Sequence, residues 1–460
     1  MVQITSNLSR NDLEDLMQTG KTSVSFGPKV GDKARLYQIV GLVLNSPESI
    51  HYQDLGEGRG LYVVRNNTII SPNRLYLGGT RWKHYDTEEA ALMDGKKLAR
   101  GMSHKWAILN LMLSLMALEE KATMAEVNAS RIGGGKAVIF DRQYDAKNFS
   151  SNSEDLNELE MRVLDRIGPV LDLLGQYIFA PDMGTNSRYV DYVSKFCPNT
   201  VACVSREIGG SGDPSVITAR GVYESMLEAV KHRLGKDSLE GLTIALQGVG
   251  KVGKNLVEYI AENKDVRLII TDEKESAASA VVRSLLDRGV NATYVVAHDI
   301  YSQKCDIFSP NAVGQILTPK NIELIARAND EHGVMIVGGA NNQIDDRHSG
   351  TREQVEAMFK QYGMLYAPDF VVNLGGILNL MYEFPNVKKE LRGKYIQNVP
   401  LVRVRGVRDI LSRIFELSQQ RNECSTQALA ERLAEEHIAR YALRDRYDAS
   451  GLLQRAYLEV

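Results

Sequence analysis

Over residues 242–272 the polarity of the chain changes in a fixed order. An apolar run, Leu-Thr-Ile-Ala-Leu, precedes glycines at 248, 250 and 253; a stretch of helical spacing and then Arg-Leu-Ile-Ile-Thr-Asp follow. Short apolar runs rich in β-branched residues read as buried parallel strands. The pattern therefore predicts a strand, a helix opening near Lys254, and a second strand over 266–271. The alternation continues with strands at 294–297, 306–308, 334–337 and 365–372, Asn341 ending one strand and Asn373 another. Upstream, 36–44, 61–70 and 75–82 read as strands, with Gly78 and Gly79 baring the backbone at a strand end. The pair Asp86/Glu89 predicts the cap of a long helix running past Lys105, apolar nearly all round over 108–118, hence buried or a subunit contact. Three glycines and Lys136 lead into a strand at 131–140. A helix over 153–174 and a strand over 177–180 follow, the strand ending at Pro181-Asp182. After the glycine-rich link 209–212 come a helix over 216–234 and, from 377 on, helices with apolar spacing through Val404, Val407 and Ile410. A short helix over 428–437 precedes a polar tail.

This is an α/β chain of two domains with a cleft between them. Residues 1–209 are expected to form an α/β catalytic domain and 210–380 a Rossmann-type doubly wound parallel sheet. Residues 381–460 are expected to form helices closing back on the cleft. The 460 residues suffice for two or three well-buried cores. A net charge of −3 leaves no electrostatic footprint for nucleic acid or an anionic membrane. The N-terminus lacks the apolar core of a signal peptide. Four cysteines without C-x-x-C spacing fit a reducing compartment, so a soluble cytoplasmic protein is expected. Eight histidines without H-x-H or H-E-x-x-H spacing suggest no metal site.

The glycines stand at G-x-G-x-x-G spacing between strand and helix. Gly248 would turn the chain, Gly250 would let the backbone approach a pyrophosphate, and Gly253 would let helix pack on strand. Asp272, at the end of the second strand, can accept from both hydroxyls of an adenosine ribose and would repel a 2′-phosphate. NAD is thus expected rather than NADP. In the first half Lys105, Lys136 and Asp182 recur at glycine-rich or strand-end positions. Two lysines and an acid facing a nicotinamide suit oxidation of an amine. One lysine would grip a carboxylate, the other polarise a carbonyl or water, and the acid shuttle protons.

Several ordered stretches carry a resemblance: Leu-Gly-Gly-Thr-Arg (77–81), Ala-Arg-Gly-Met-Ser-His-Lys (99–105), Gly-Gly-Gly-Lys-Ala-Val-Ile (133–139) and Ala-Pro-Asp-Met-Gly-Thr (180–185). They continue with Pro-Ser-Val-Ile-Thr-Ala-Arg-Gly-Val-Tyr (214–223), Gly-Gly-Ala-Asn-Asn-Gln (338–343) and Tyr-Ala-Pro-Asp-Phe-Val-Val-Asn-Leu-Gly-Gly (366–376). Over about residues 61–440 the chain resembles the glutamate/leucine/phenylalanine/valine dehydrogenase superfamily, in its leucine/phenylalanine/valine branch. The resemblance implies reversible NAD-dependent oxidative deamination of an L-amino acid to the 2-oxo acid and ammonia, in a homo-oligomer. It makes Lys105 the ligand of the substrate carboxylate, Lys136 the holder of the water or carbonyl oxygen, and Asp182 the general acid/base. Thr218 and Asn373 would hold the nicotinamide carboxamide, with Asn341 among the cofactor contacts. Gly78 and Gly79 would floor the substrate site.

Leu77 stands where glutamate enzymes keep a lysine, and an apolar residue cannot compensate a buried carboxylate. With Met102, Ala180, Val404 and Val407 it implies a pocket for an aliphatic or aromatic side chain. A specialised biosynthetic enzyme for a larger aromatic or modified amino acid, and a non-catalytic nucleotide-binding regulator, are the alternatives. Lys105 and Lys136 stand thirty-one residues apart, well beyond the family's spacing. The extra residues are expected as an inserted helical segment at about 109–130, a surface hairpin or an oligomer contact.

Overall fold

The computed structural model describes residues 23–26, 48–66, 75–115, 132–145, 155–329, 333–383, 403–420 and 425–448. The strand expected at 36–44 lies outside them, as do residues 67–70 of the next and residues 116–130 of the insertion.

The first sheet contains β1 (Ser23–Phe26), β2 (Glu48–Gly56), β3 (Arg59–Asn66), β4 (Leu75–Trp82), β5 (Ile132–Asp141) and β6 (Tyr177–Pro181) in the order β1-β2-β3-β5-β4-β6. Strands β4, β5 and β6 run parallel, whereas β3 is antiparallel to both β2 and β5. Strand β2 was not predicted, because it interleaves buried polar residues, Ser49, His51 and Gln53, with Ile50 and Tyr52. Burial and Arg65 lower the His51 pKa to about 4, which keeps that ring neutral inside the sheet.

Helix α1 (Glu88–Leu115) lies across β5 and carries Lys105. Its first turn is capped by Thr87, whose Oγ1 accepts from the Ala90 N–H at 3.1 Å, not by Asp86. Over residues 109–113 the buried alternative holds rather than a subunit contact, while the expected hairpin falls mostly outside the described residues. Leu109 and Met112 are fully buried inside the chain, in one cluster with Val404, Val407 and Ile410. Helix α2 (Glu158–Leu174) opens with a capping box between Asn157 and Glu160, five residues later than predicted. Helix α3 (Ser187–Ser194) follows β6.

Helix α4 (Ser215–Leu234) leads into the second sheet, which contains β7 (Thr243–Gln247), β8 (Arg267–Thr271), β9 (Asn291–Tyr294), β10 (Ile307–Pro310), β11 (Met335–Ile336) and β12 (Leu365–Tyr366). Every pairing is parallel and the order is β12-β11-β10-β7-β8-β9. Counted from β7 this is 6-5-4-1-2-3, the dinucleotide-binding order, in which the sheet changes direction beside its first strand. Helix α5 (Lys251–Ala261) starts at Lys251 rather than near Lys254, so Gly253 lies inside its first turn.

Helices α6 (Glu275–Asp287), α7 (Pro319–Ala328) and α8 (Thr351–Gln361) complete the crossovers. The strand predicted over 365–372 ends at Tyr366, because Pro368 starts a helical turn, α9 (Asp369–Val372), and Asn373 caps it. Helix α10 (Gly375–Leu380) packs on α4, and helices α11 (Val407–Gln420) and α12 (Thr426–Asp448) return to α1. Helix α12 runs past the short helix expected over 428–437 and into the expected polar tail.

Among the described residues no helix is long and apolar enough to cross a membrane. Nor does any group of three or more His, Cys, Asp or Glu among them offer a metal site.

Candidate active site

The C-terminal ends of the second sheet's central strands face the C-terminal end of β6 across a cleft of about 490 Å³. Two strands and one helix bring the charged groups to it: β5 carries Lys136, Asp182 directly follows β6, and α1 presents Lys105, with Arg81 of β4 behind Asp182. The Lys136 ammonium bonds Asp182 Oδ2, which Arg81 Nε also contacts at 3.1 Å. Lys105 Nζ donates to Asn341 Oδ1 at 2.7 Å, across the cleft.

Electrostatics follow from burial and these pairings. Burial alone would hinder ionisation of Asp182, but Lys136 and Arg81 outweigh it and hold the carboxyl well below the usual range. Burial lowers the Lys136 ammonium against the opposing pull of Asp182. Lys105 falls to about 8, through burial first, with Asp369 resisting. Asp369 is buried, accepts the Gln343 N–H at 2.9 Å, and is itself pushed up by desolvation. Asp94 anchors the far side of Arg81 at 2.9 Å and accepts from Tyr85 at 2.7 Å.

The glycines before Lys136 serve close packing inside the first domain. They lie within β5, and a Cβ on Gly134 would meet the Ala99 carbonyl at 2.2 Å and the Ser103 nitrogen at 2.3 Å. They let α1 press onto the sheet, which carries Lys105 toward Lys136, rather than making room for a ligand. Gly78 and Gly79 are likewise within β4, not at a strand end. A Cβ on Gly78 would meet the Gly135 carbonyl at 1.7 Å, so this glycine serves strand pairing; Gly79 reaches the cleft wall.

Leu77, Met102 and Ala180 form an apolar wall beside the lysines. Val404 and Val407 do not line it. Both are fully buried in the core behind, against α4 and the lengthened α1.

On the opposite wall stand Thr218, Gly250, Asn341 and Asn373. The glycine loop fits a dinucleotide. Gly248 has φ +97°, Gly253 would clash with the Gly248 carbonyl at 2.0 Å if it carried a Cβ, and a Cβ on Gly250 would point into open space. Asp272 Oδ2 accepts the Val249 N–H at 2.8 Å, which fixes the carboxylate against the loop. Asn373 donates to Asn341 Oδ1 at 2.9 Å, while its own Oδ1 is a buried acceptor without a partner among the described residues. A carboxamide N–H would satisfy it.

Sequence pattern alone gives no role to Arg81, Asp94, Tyr85 or Asp369. A charged residue beside Trp82 in an otherwise apolar strand was the available signal for Arg81. The short Ala-Pro-Asp turn was the signal for Asp369.

A doubly wound parallel sheet with this loop, facing a lysine–lysine–carboxylate site, defines a two-domain dehydrogenase. A model of the Glutamate/Leucine/Phenylalanine/Valine dehydrogenase family matches residues 209–392. The chain is 36% identical over 388 residues to a leucine dehydrogenase of Bacillus subtilis (strain 168), covering 84% of this chain and 90% of that one. It is 32% identical over 378 residues to an L-tryptophan dehydrogenase of Nostoc punctiforme (strain ATCC 29133 / PCC 73102), covering 82% and 89%. The crystal structure of L-tryptophan dehydrogenase from Nostoc punctiforme superposes with a TM-score of 0.56 at 29% identity, over 83% of this chain and 92% of that one. The chain belongs to the glutamate/leucine/phenylalanine/valine dehydrogenase family, in its leucine/valine branch, and is an amino acid dehydrogenase using a nicotinamide dinucleotide.

Proposed function

We propose that the protein oxidises an apolar L-amino acid with NAD, releasing the 2-oxo acid and ammonia. The observation that carries this reading is the convergence of Lys105, Lys136 and Asp182 on one cleft with Thr218, Gly250 and Asn373, beside the apolar wall of Leu77, Met102 and Ala180. Lys105 exchanges its bond to Asn341 for the substrate carboxylate and fixes Cα. The bound dinucleotide supplies the acceptor for the hydride leaving Cα. Lys136 holds the water that adds to the resulting imine, and Asp182, kept ionised, takes the proton from nitrogen or water. The products balance as 2-oxo acid, ammonia, reduced cofactor and one proton. Thr218 and Asn373 orient the carboxamide, and Asn341 links that wall to Lys105.

Asp272 supports NAD over NADP, since its carboxylate would sit against a 2′-phosphate. Relatives named for leucine, valine and tryptophan support an apolar substrate, and Leu77 leaves a side-chain carboxylate without a counter-ion. We further propose a cytoplasmic homo-oligomer. Strand β1 is the outermost strand of its sheet among the described residues, a position that favours pairing with another chain; light scattering in solution reads the assembly directly.

Steady-state reduction of NAD and NADP against leucine, valine, phenylalanine, tryptophan and glutamate tests the reading. Turnover with apolar substrates and NAD is expected. Preference for glutamate, or no turnover with any amino acid, would overturn it.

A further inference from the structure

Asp182 faces an unusual concentration of charge. Lys136 reaches it from β5, Arg81 and Lys83 from β4 and its end, Asp94 and Lys105 from α1. Tyr85 stands beside Asp94, and Tyr177 enters from β6. Two cations share one oxygen of this carboxylate: Lys136, and Arg81 through Nε at 3.1 Å. They differ in what holds them. Lys136 is a flexible single-point donor that the proposed reaction needs elsewhere, on the water or carbonyl oxygen. Arg81 is a planar fork, 7% exposed, whose other arm is tied to Asp94 at 2.9 Å. Asp94 is in turn held by Tyr85 at 2.7 Å, with the Lys83 ammonium 4.0 Å away. A guanidinium fixed at both ends cannot follow Lys136 to the substrate.

We propose that Arg81, anchored by Asp94, is a positioning residue that keeps Asp182 oriented and sets its basicity when Lys136 turns to the substrate. The role rests on the amino acid oxidation proposed above. Asp94 is the adjusting member of the chain Asp182–Arg81–Asp94–Tyr85. Its negative charge draws part of the Arg81 charge away from Asp182, so the acid is ionised without being too weak a base. The directions agree with the geometry. Asp182 and Asp94 outweigh burial and raise Arg81, while Lys136 and Arg81 outweigh burial and lower Asp182.

The test is a sign. Lys136 and Asp182 titrate as a pair, and a positive neighbour lowers the pKa of either member whereas a negative one raises it. Arg81→Gln should therefore move the acid limb of the kcat/KM profile for amino acid oxidation to higher pH. Asp94→Asn should move it to lower pH, each by about one unit, the scale an adjacent charge imposes. KM for NAD should stay within about twofold, because neither residue reaches the dinucleotide wall. Tyr85→Phe, the mildest change, leaves the Asp94 charge less compensated and should shift the limb upward by less. It keeps the test open if a charge variant fails to fold. A merely structural role would lower kcat in all three variants without opposite shifts. Shifts of one sign in Arg81→Gln and Asp94→Asn, or limbs coincident with the wild type in folded variants, would overturn the inference while leaving the oxidation itself intact. A wild-type protein inactive on every amino acid would overturn both.

Discussion

Lys105 makes the substrate grip depend on pH. Burial brings its pKa from 10.5 to about 8, so the ammonium is intact at neutral pH and is lost as pH rises through about 8. The KM for the amino acid should climb above that point, by about tenfold per unit at the limit, while KM for NAD stays flat. Lys105→Arg keeps its charge throughout this range; its KM should be higher but level, and a climb matching the wild type would refute the assignment. The same shift is a stability statement. Between about 8 and 10.5 the unfolded chain holds the proton that the folded one releases, so the cost of burying Lys105 fades as pH rises through that window. Two glycines of one motif should also separate by assay. Gly250→Ala adds a methyl where only ligand would be, so the variant should melt like the wild type but bind NADH at least about tenfold more weakly. Gly253→Ala meets the Gly248 carbonyl at 2.0 Å and should lose about 1–3 kcal/mol of stability. Thermal melts beside fluorescence titrations with NADH distinguish them, and identical behaviour of the two variants would contradict separate roles for Gly250 and Gly253.

Elements were legible where their periodicity was pure. The β7–α5–β8 unit, the end of β6 just before Asp182 and the span of α4 could be read because apolar runs, glycines and polar ends alternate without interruption. The reading failed where tertiary context supplied what local pattern lacked. Strand β2 hides its polar side chains in the sheet, Pro368 turns an apolar run into a helical turn, and the glycines of β4 and β5 answer to neighbouring backbones that no local pattern reveals. Val404 and Val407 have the spacing of a pocket-facing stripe, yet the lengthened α1 occupies the space in front of them. That extension is testable as an element. Met112 is fully buried, and a Cβ on Gly406 would come within 3.0 Å of it. Met112→Ala should therefore cost about 2–5 kcal/mol with KM for the amino acid unchanged. A loss below about 0.5 kcal/mol, the range of surface substitutions, would place Met112 outside the core and favour the subunit contact that was the alternative for this stretch.

At the scale of the molecule, the chain crosses between its two sheets along neighbouring paths, and buried polar contacts fasten them. The outgoing segment carries Cys203 at φ +67°, Gly209 at +89° and Gly212 at +72°, a run of left-handed residues that fixes a tight course. The returning segment supplies Glu383, whose carboxylate accepts the Val204 N–H at 3.2 Å and the Ser211 N–H. Just before it Asn379, 1% exposed, donates to Ser211 Oγ at 2.9 Å. Backbone donors in such a place need an acceptor, and an unmatched one costs about 1–3 kcal/mol. Glu383→Gln retains one acceptor oxygen and turns an amide N–H toward the other donor, so it should loosen the crossing without emptying the core. Because the lysines and Asp182 stand on one side of this crossing and Thr218 and Asn373 on the other, loosening it changes how often the two walls meet. The expected outcome is faster amide exchange confined to residues 204–213, with kcat falling and KM rising together. Unchanged exchange there, or an effect on KM for NAD alone, would show that Glu383 secures only the cofactor side and that closure is governed elsewhere.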